Sequence, residues 1–143
     1  MQLTRYTDYS LRVLVFLCSR QDDSATAGEI ADFYDISRNH IAKCVSMLAE
    51  AEIITTARGR GGGLRLAVAP EDICIGDLVR ATENLTLVEC FDPENNTCPL
   101  ASDCSLEVLF HRATSAFLAV LDETTLAQLL PASSALVPIR KTP

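Results

Sequence analysis

The sequence predicts a mainly α-helical fold with one small β-hairpin, arranged as a winged helix-turn-helix followed by a long amphipathic helix. Three features predict it. Two short helical segments meet across the tight turn Tyr34-Asp35-Ile36. Directly after them, two β-rich runs flank the tip Arg58-Gly59-Arg60-Gly61-Gly62-Gly63. From Ser105 onward, Leu106, Leu109, Phe110, Ala113, Phe117, Val120 and Leu121 recur at helical spacing.

The first helix opens at Thr7-Asp8-Tyr9-Ser10, with Thr7 expected as its N-cap and Asp8 as a first-turn acid favoured by the helix dipole. Tyr9, Val13, Phe16 and Leu17 form one face; Leu11, Leu14, Val15 and Cys18 form another. A helix apolar on two faces is buried on both. Gln21-Asp22-Asp23-Ser24 reads as a loop. Thr26-Ala27-Gly28-Glu29 has the capping-box pattern and starts a second helix with Ile30, Ala31 and Phe33. Ser37 is expected to cap a third helix running to about Ala51. There Ile41, Cys44, Val45 and Leu48 face one way, and Asn39, Lys43, Ser46 and Glu50 face the other. That pairing of helices is the helix-turn-helix pattern.

Ile53-Ile54-Thr55-Thr56 and the alternating Leu64-Arg65-Leu66 make the hairpin. Four glycines in the five positions 59–63 free its turn to adopt positive φ. A hairpin directly after a recognition helix is a wing, and Pro70 closes the unit, so residues 1–70 form the winged helix-turn-helix. Residues 71–130 hold a connecting helix from Ile75, a loop over 85–104, a long helix over 105–122 suited to dimerisation, and a last helical turn from Thr125 to Leu130. The Pro- and Ser-rich stretch 131–143 is expected to be a loose tail.

Length and composition bound the function. At 143 residues the chain is expected to form one domain, or one domain with an appended arm, large enough to bury ~68–70% of the surface its unfolded form exposes. An apolar fraction of 48% and a mean hydropathy of +0.19 argue against disorder. The longest apolar run in the first helix, Val13 to Cys18, is six residues, against the ~20 a membrane span needs. Met1-Gln2-Leu3-Thr4-Arg5 lacks the charge and apolar length of a signal peptide. A cytoplasmic protein without a membrane partner is expected, and its six cysteines are then thiols or ligands before they are disulfides. The net charge of −7 lies entirely in residues 71–143, whereas residues 1–70 balance eight basic against eight acidic groups. If the chain touches nucleic acid, the first half does so.

Two motifs carry chemistry. In the first, Ser37, Arg38, Asn39, His40 and Lys43 are placed to reach a major groove or its flanking phosphates. Gly61 and Gly62 let backbone approach phosphate closely, and Arg58 and Arg60 suit a narrow minor groove. The plainer account is a helical bundle with a glycine hairpin, and Arg65 reads as a solvated strand residue. The glycines are not a nucleotide loop, because a strand rather than a helix follows them. In the second motif, Cys90, Cys98 and Cys104 fall within 15 residues. Unrelated thiols, zinc, a redox disulfide with one thiol left over, and an iron–sulfur cluster are the alternatives. Zinc usually shows a closer cysteine pair, whereas the gaps here are seven and five residues; a cluster accepts thiolates on loop backbone and a non-cysteine ligand. Cys18, Cys44 and Cys74 sit in apolar surroundings and read as small core residues. Neither His40 nor His111 belongs to a catalytic set, so an enzyme is not expected.

Four stretches carry a family resemblance: Met1-Gln2-Leu3-Thr4 with Thr7-Asp8-Tyr9, Ile36-Ser37-Arg38-Asn39-His40, Arg58 through Leu66, and Leu87-Val88-Glu89-Cys90. Together, over about residues 1–130, they resemble the NsrR family of nitric-oxide-sensing repressors, related to the IscR and RirA regulators. The resemblance implies a homodimer of winged-helix subunits on an inverted-repeat operator in double-stranded DNA, with nitric oxide as effector. It implies an iron–sulfur cluster, 4Fe-4S favoured and 2Fe-2S possible, held by Cys90, Cys98 and Cys104. Asp8 matches the fourth ligand, supplied by the other subunit. IscR-type proteins have a histidine three residues after the third cysteine, where this chain has Glu107. The seven-residue gap between Cys90 and Cys98 is more like some RirA proteins, which keeps open a regulator sensing iron or cluster supply. From another class, a zinc- or thiol-stabilised protein–protein adaptor is the alternative.

Overall fold

Thr4, not Thr7, caps the first helix. In the computed structural model, which describes residues 2–20, 24–59, 62–100 and 104–130, α1 runs Arg5–Ser19 and the Thr4 hydroxyl accepts from the Thr7 N–H at 3.4 Å. Thr7 is fully buried one turn into the helix, and its hydroxyl is engaged elsewhere. Its single proton is shared between Glu83 and Thr82 Oγ1 (2.8 Å). The Thr4 N–H and hydroxyl donate to the same Glu83 oxygen at 2.6 and 3.0 Å. Burial alone would raise the Glu83 carboxyl, but these donors outweigh it and hold the group below the usual carboxylate range.

Helix α2 (Ala27–Tyr34) has the expected capping box: Thr26 Oγ1 accepts from the Glu29 N–H at 3.1 Å, and Glu29 Oε2 accepts from the Thr26 N–H at 2.7 Å. It stops at Asp35, whose φ of 54° is left-handed, a conformation Asp tolerates better than most residues. Helix α3 (Arg38–Glu50) follows with Ser37 at the N-cap, though the Ser37 side chain makes no capping bond. Ile41, Cys44 and Leu48 are buried while Asn39, Lys43, Ser46 and Glu50 are exposed, as the helical wheel requires.

The wing pairs β1 (Ile54–Ala57) with β2 (Gly63–Leu66), antiparallel, with Ile54 opposite Leu66 and Ala57 opposite Gly63. The sequence gives no hint that Ala25 joins this sheet. It bridges β2 from the other side, with Ala25 N–H to Leu64 O at 3.1 Å and Leu64 N–H to Ala25 O at 2.7 Å. Gly63 makes room for it: at φ +150°, a Cβ would stand 2.8 Å from Ser24 Cβ and 2.9 Å from Ala25 O. Arg60, Gly61 and the expected tail 131–143 lie outside the described residues.

Beyond the wing come a 3-10 turn at Pro70–Asp72, α4 (Ile75–Thr82), a 3-10 turn at Glu89–Phe91, α5 (Ser105–Asp122) and a last turn at Leu126–Leu129. After α5 the chain returns to the start of α4, with Leu126 N–H on Ile73 O at 2.9 Å and Ile75 N–H on Thr124 O at 3.0 Å. Arg80 grips Asp122 through both oxygens, at 2.5 and 2.7 Å, and so joins the two helices. One core cluster includes Leu14 of α1, Ile41 of α3, Ile54 of β1, Leu78 of α4 and Leu126. Helix α5 contributes no fully buried residue to it; Leu106, Val108, Leu109 and Val120 are exposed. No helix among the described residues is long and apolar enough to cross a membrane.

The Glu83 clamp sets an acid limit. Its carboxyl is depressed in the folded chain relative to the ordinary 4.5, so its contribution is complete above that value and disappears as pH falls through the folded pKa. Glu83→Gln is expected to flatten this part of the acid limb in thermal unfolding between pH 3 and 7; an unchanged limb would count against the clamp.

Candidate DNA interface and cysteine pocket

The outward face of α3 begins with Ser37, Arg38, Asn39, His40 and Lys43, all exposed. Unlike α1 and α2, α3 has no acid in its first turn and no side-chain cap. Its first amides and its positive dipole end are therefore open to a phosphate. Arg38 touches Asp32 at 3.3 Å, but both side chains are about 70% exposed, and such a pair is worth little and exchanges readily for another anion. The His40 ring lies 5.9 Å from that of Tyr9, so the recognition helix leans on α1 beside Asp8. Arg58 is exposed on the wing. Gly62 donates to Gly59 O at 3.0 Å to close the tip, and any Cβ there would overlap the Ala57 carbonyl.

The three clustered cysteines line one pocket of about 200 Å³, walled by Val88, Leu100, Leu106 and Phe110. The wide spacing converges because Glu89, beside Cys90, accepts a hydrogen bond from the Thr97 N–H, beside Cys98. Asp92 secures the intervening turn by accepting from the Glu94 N–H at 3.2 Å and from Asn95 Nδ2 at 2.7 Å. Asn96 Oδ1 accepts from the Cys98 N–H at 3.0 Å. Cys104 is the N-cap residue of α5. Burial pushes the Cys90 thiol up, and the Glu107 carboxylate and the other two thiols push it further. Negative groups that disfavour one another's ionisation are a donor set suited to a cation, and soft thiolates suit zinc or an iron–sulfur centre.

Asp8 does not line this pocket in its own subunit. It is half-exposed in the first turn of α1 and held by two Arg12 nitrogens, Nη2 at 2.9 Å and Nε at 3.1 Å. The structure does place Glu107 in the pocket; His111, one turn further along α5 and not part of the pocket lining, stacks its ring on Phe91 at 3.8 Å. The remaining cysteines differ from one another. Cys44 is buried, as expected of a core residue, while Cys18 is half-buried at the core's edge. Cys74 is also half-buried, a correction to its core reading, because as the residue before α4 its thiol turns to Asp122 O at 3.8 Å. Cys74, Asp77 and Asp122 have donor atoms within 4.8 Å of one another, but the Arg80 guanidinium already neutralises Asp122 there.

Residues 3–132 match the family model of Rrf2, described as an iron-dependent transcriptional regulator. The chain belongs to the Rrf2 family. It is 47% identical over 132 residues to the HTH-type transcriptional regulator NsrR of Bacillus subtilis, covering 91% of this chain and 90% of that one. Identity to NsrR of Geobacillus kaustophilus is 49% over the same length, with the same coverage. Among solved structures, CymR, the global cysteine regulator of B. subtilis, superposes with a TM-score of 0.74 at 24% identity, covering 90% of this chain and 95% of that one. IscR of T. potens gives 0.71 at 22%, with 90% and 85% covered. These likenesses establish the winged-helix fold. As a member of the Rrf2 family the chain is a DNA-binding transcriptional regulator and not an enzyme.

Lys43 is exposed on the outer face of α3, and Lys43→Ala is expected to remove one phosphate contact. Operator affinity should fall, and the slope of log K against log salt should become shallower by ~0.9. Titrations at several salt concentrations read both; an unchanged slope with relaxed sequence preference would reassign Lys43 to base contact.

Proposed function

We propose that this regulator is a repressor that senses nitric oxide through an iron–sulfur cluster and controls nitric-oxide detoxification genes from the cytoplasm. The observation that carries the reading is the convergence of Cys90, Cys98 and Cys104 on one pocket, in a chain nearly half identical to NsrR proteins. Four protein ligands serve either cluster nuclearity, and the family favours 4Fe-4S. The protein acts as a homodimer on an inverted-repeat operator, with Ser37, Arg38, Asn39, His40 and Lys43 in the major groove and Arg58, Arg60, Gly61 and Gly62 at the wing. The exposed apolar residues Leu106, Leu109 and Val120 of α5 support a second copy as its cover.

The fourth ligand is the partner subunit's Asp8. A cluster held by Cys90, Cys98, Cys104 and that Asp8 would supply irons able to bind nitric oxide. The residues of the chain turn that event into motion. A carboxylate is a harder and weaker ligand than thiolate at such a centre, so Asp8 is the first to let go. Arg12 waits for it, lying 5.9 Å from the Tyr9 ring and 5.6 Å from the Tyr34 ring. Tyr34 ends α2, and Tyr9 touches His40 of α3. Released Asp8 therefore returns to a group packed against both helices of the reading head.

The family's description as iron-dependent favours one second reading, a sensor of iron or cluster supply. Two experiments test the proposal. Cys90→Ala, Cys98→Ala and Cys104→Ala are each expected to abolish the visible absorption of anaerobically purified protein, and Cys18→Ala to leave it intact. In an anaerobic gel shift, a few equivalents of nitric oxide should release cluster-loaded protein from its operator. Release by an iron chelator, with nitric oxide without effect, transfers the assignment to the iron sensor.

A further inference from the structure

Glu107 lines the same pocket as Cys90, Cys98 and Cys104. It is the third residue of α5, a position whose carboxylate ordinarily folds back onto the N-cap amide; α5 has no such bond. Its side chain is only 30% exposed, and its Oε1 lies 3.8 Å from His111 Nε2, one turn further along the helix. The His111 ring in turn stacks on Phe91 at 3.8 Å and 13°, so the ring facing the carboxylate is anchored to the residue after Cys90. Two other carboxylates of the loop are engaged: Glu89 by the Thr97 N–H, Asp92 by the Glu94 N–H and Asn95 Nδ2. Glu107 is near enough to Cys90 for its charge to raise that thiol.

We propose that Glu107 is a reserve ligand, completing a four-donor set with Cys90, Cys98 and Cys104 inside one subunit when the partner subunit's Asp8 leaves. The inference rests on the reading that these cysteines hold an iron–sulfur cluster. One carboxylate replaces another of the same charge, so the exchange moves no proton and no electron. Its consequence is that the bond between subunits opens without discarding the cluster, which leaves operator release reversible.

The test uses the full chain, reconstituted anaerobically with iron and sulfide, as Asp8→Ala, Glu107→Gln, the double variant, and Asp8→Ala with Glu107→Cys. Visible circular dichroism, iron and sulfide per chain, and the rate of iron loss to a chelator are read, with the thermal midpoint of each apo-protein as the folding control. Glu107→Gln alone is expected to keep the wild-type spectrum. Asp8→Ala should keep a cluster with an altered spectrum. The double variant should lose iron about tenfold faster or more than Asp8→Ala, and Glu107→Cys in the Asp8→Ala background should restore slow loss. Equal rates for Asp8→Ala and the double variant overturn the proposal, as does bleaching by Glu107→Gln alone. An Asp8→Ala spectrum identical to wild type defeats the Asp8 assignment instead, and a bare protein with no absorption in any variant defeats the cluster reading itself.

Discussion

Helix α1 is apolar on two faces and covered on both, packing against α3, β2, α4 and the turn at Leu126–Leu129. Val13 and Leu14 are completely buried, and residues of that size stabilise by ~1.5–3 kcal/mol each when removed from water. The start of the same helix is clamped by Glu83, which stands at the end of α4, where the chain leaves for the cysteine loop. Packed interiors transmit displacement rather than absorb it. A movement of α1 relative to the cysteine loop is therefore also a movement relative to α3. Asp8 sits on this helix, one residue from the buried Thr7 that receives the clamp.

Sorting of charge in space reconciles an acidic chain with DNA. The net charge of −7 arises wholly after residue 70, and several of those acids have local duties: Asp122 on Arg80, Glu83 on Thr4 and Thr7, Glu89 on Thr97. The leading end of α3 carries no acid in its first turn. In the proposed docking, phosphates meet a dipole end flanked by Arg38 and Lys43, while the acidic body disfavours any approach that turns it toward the duplex. Net charge governs long-range approach, and the local arrangement governs register.

Much of this was legible before any coordinates, wherever a local pattern decides the outcome. The capping box at Thr26 and Glu29, the bounds of α5, the buried face of α3 and the hairpin around the glycines all follow from spacing alone. Failures came where a distant group decides. Thr7 and Thr4 are equally good caps by residue type, and Glu83, far along the chain, determines which one is free to serve. Ala25 pairs with Leu64 through a single residue, too short to leave a period-two signature. Three cysteines within 15 residues pointed to a joint ligand set, but not to the Glu89 and Thr97 closure that unites the distant pair. By residue type Glu107, Asp92 and Asp103 are alike as further candidate ligands; the missing cap bond of Glu107 and its place in the pocket are what the sequence does not carry.

Turning an operator from nearly full to nearly empty takes about 5.5 kcal/mol of differential stability. The Asp8–Arg12 pair, with side chains 47% and 43% exposed, is worth roughly 0–1 kcal/mol in that setting. Two copies in a dimer do not close the gap. The remainder has to come from contacts that change together when α1 moves: the Tyr9–His40 and Arg12–Tyr34 contacts, the Thr7–Glu83 clamp, and whatever covers the exposed edge of α5. Under the proposed nitric-oxide reading Asp8 is the trigger rather than the energy source. A weak ligand is suited to that part, because a strong one would hold the signal back while adding nothing to the packing it controls.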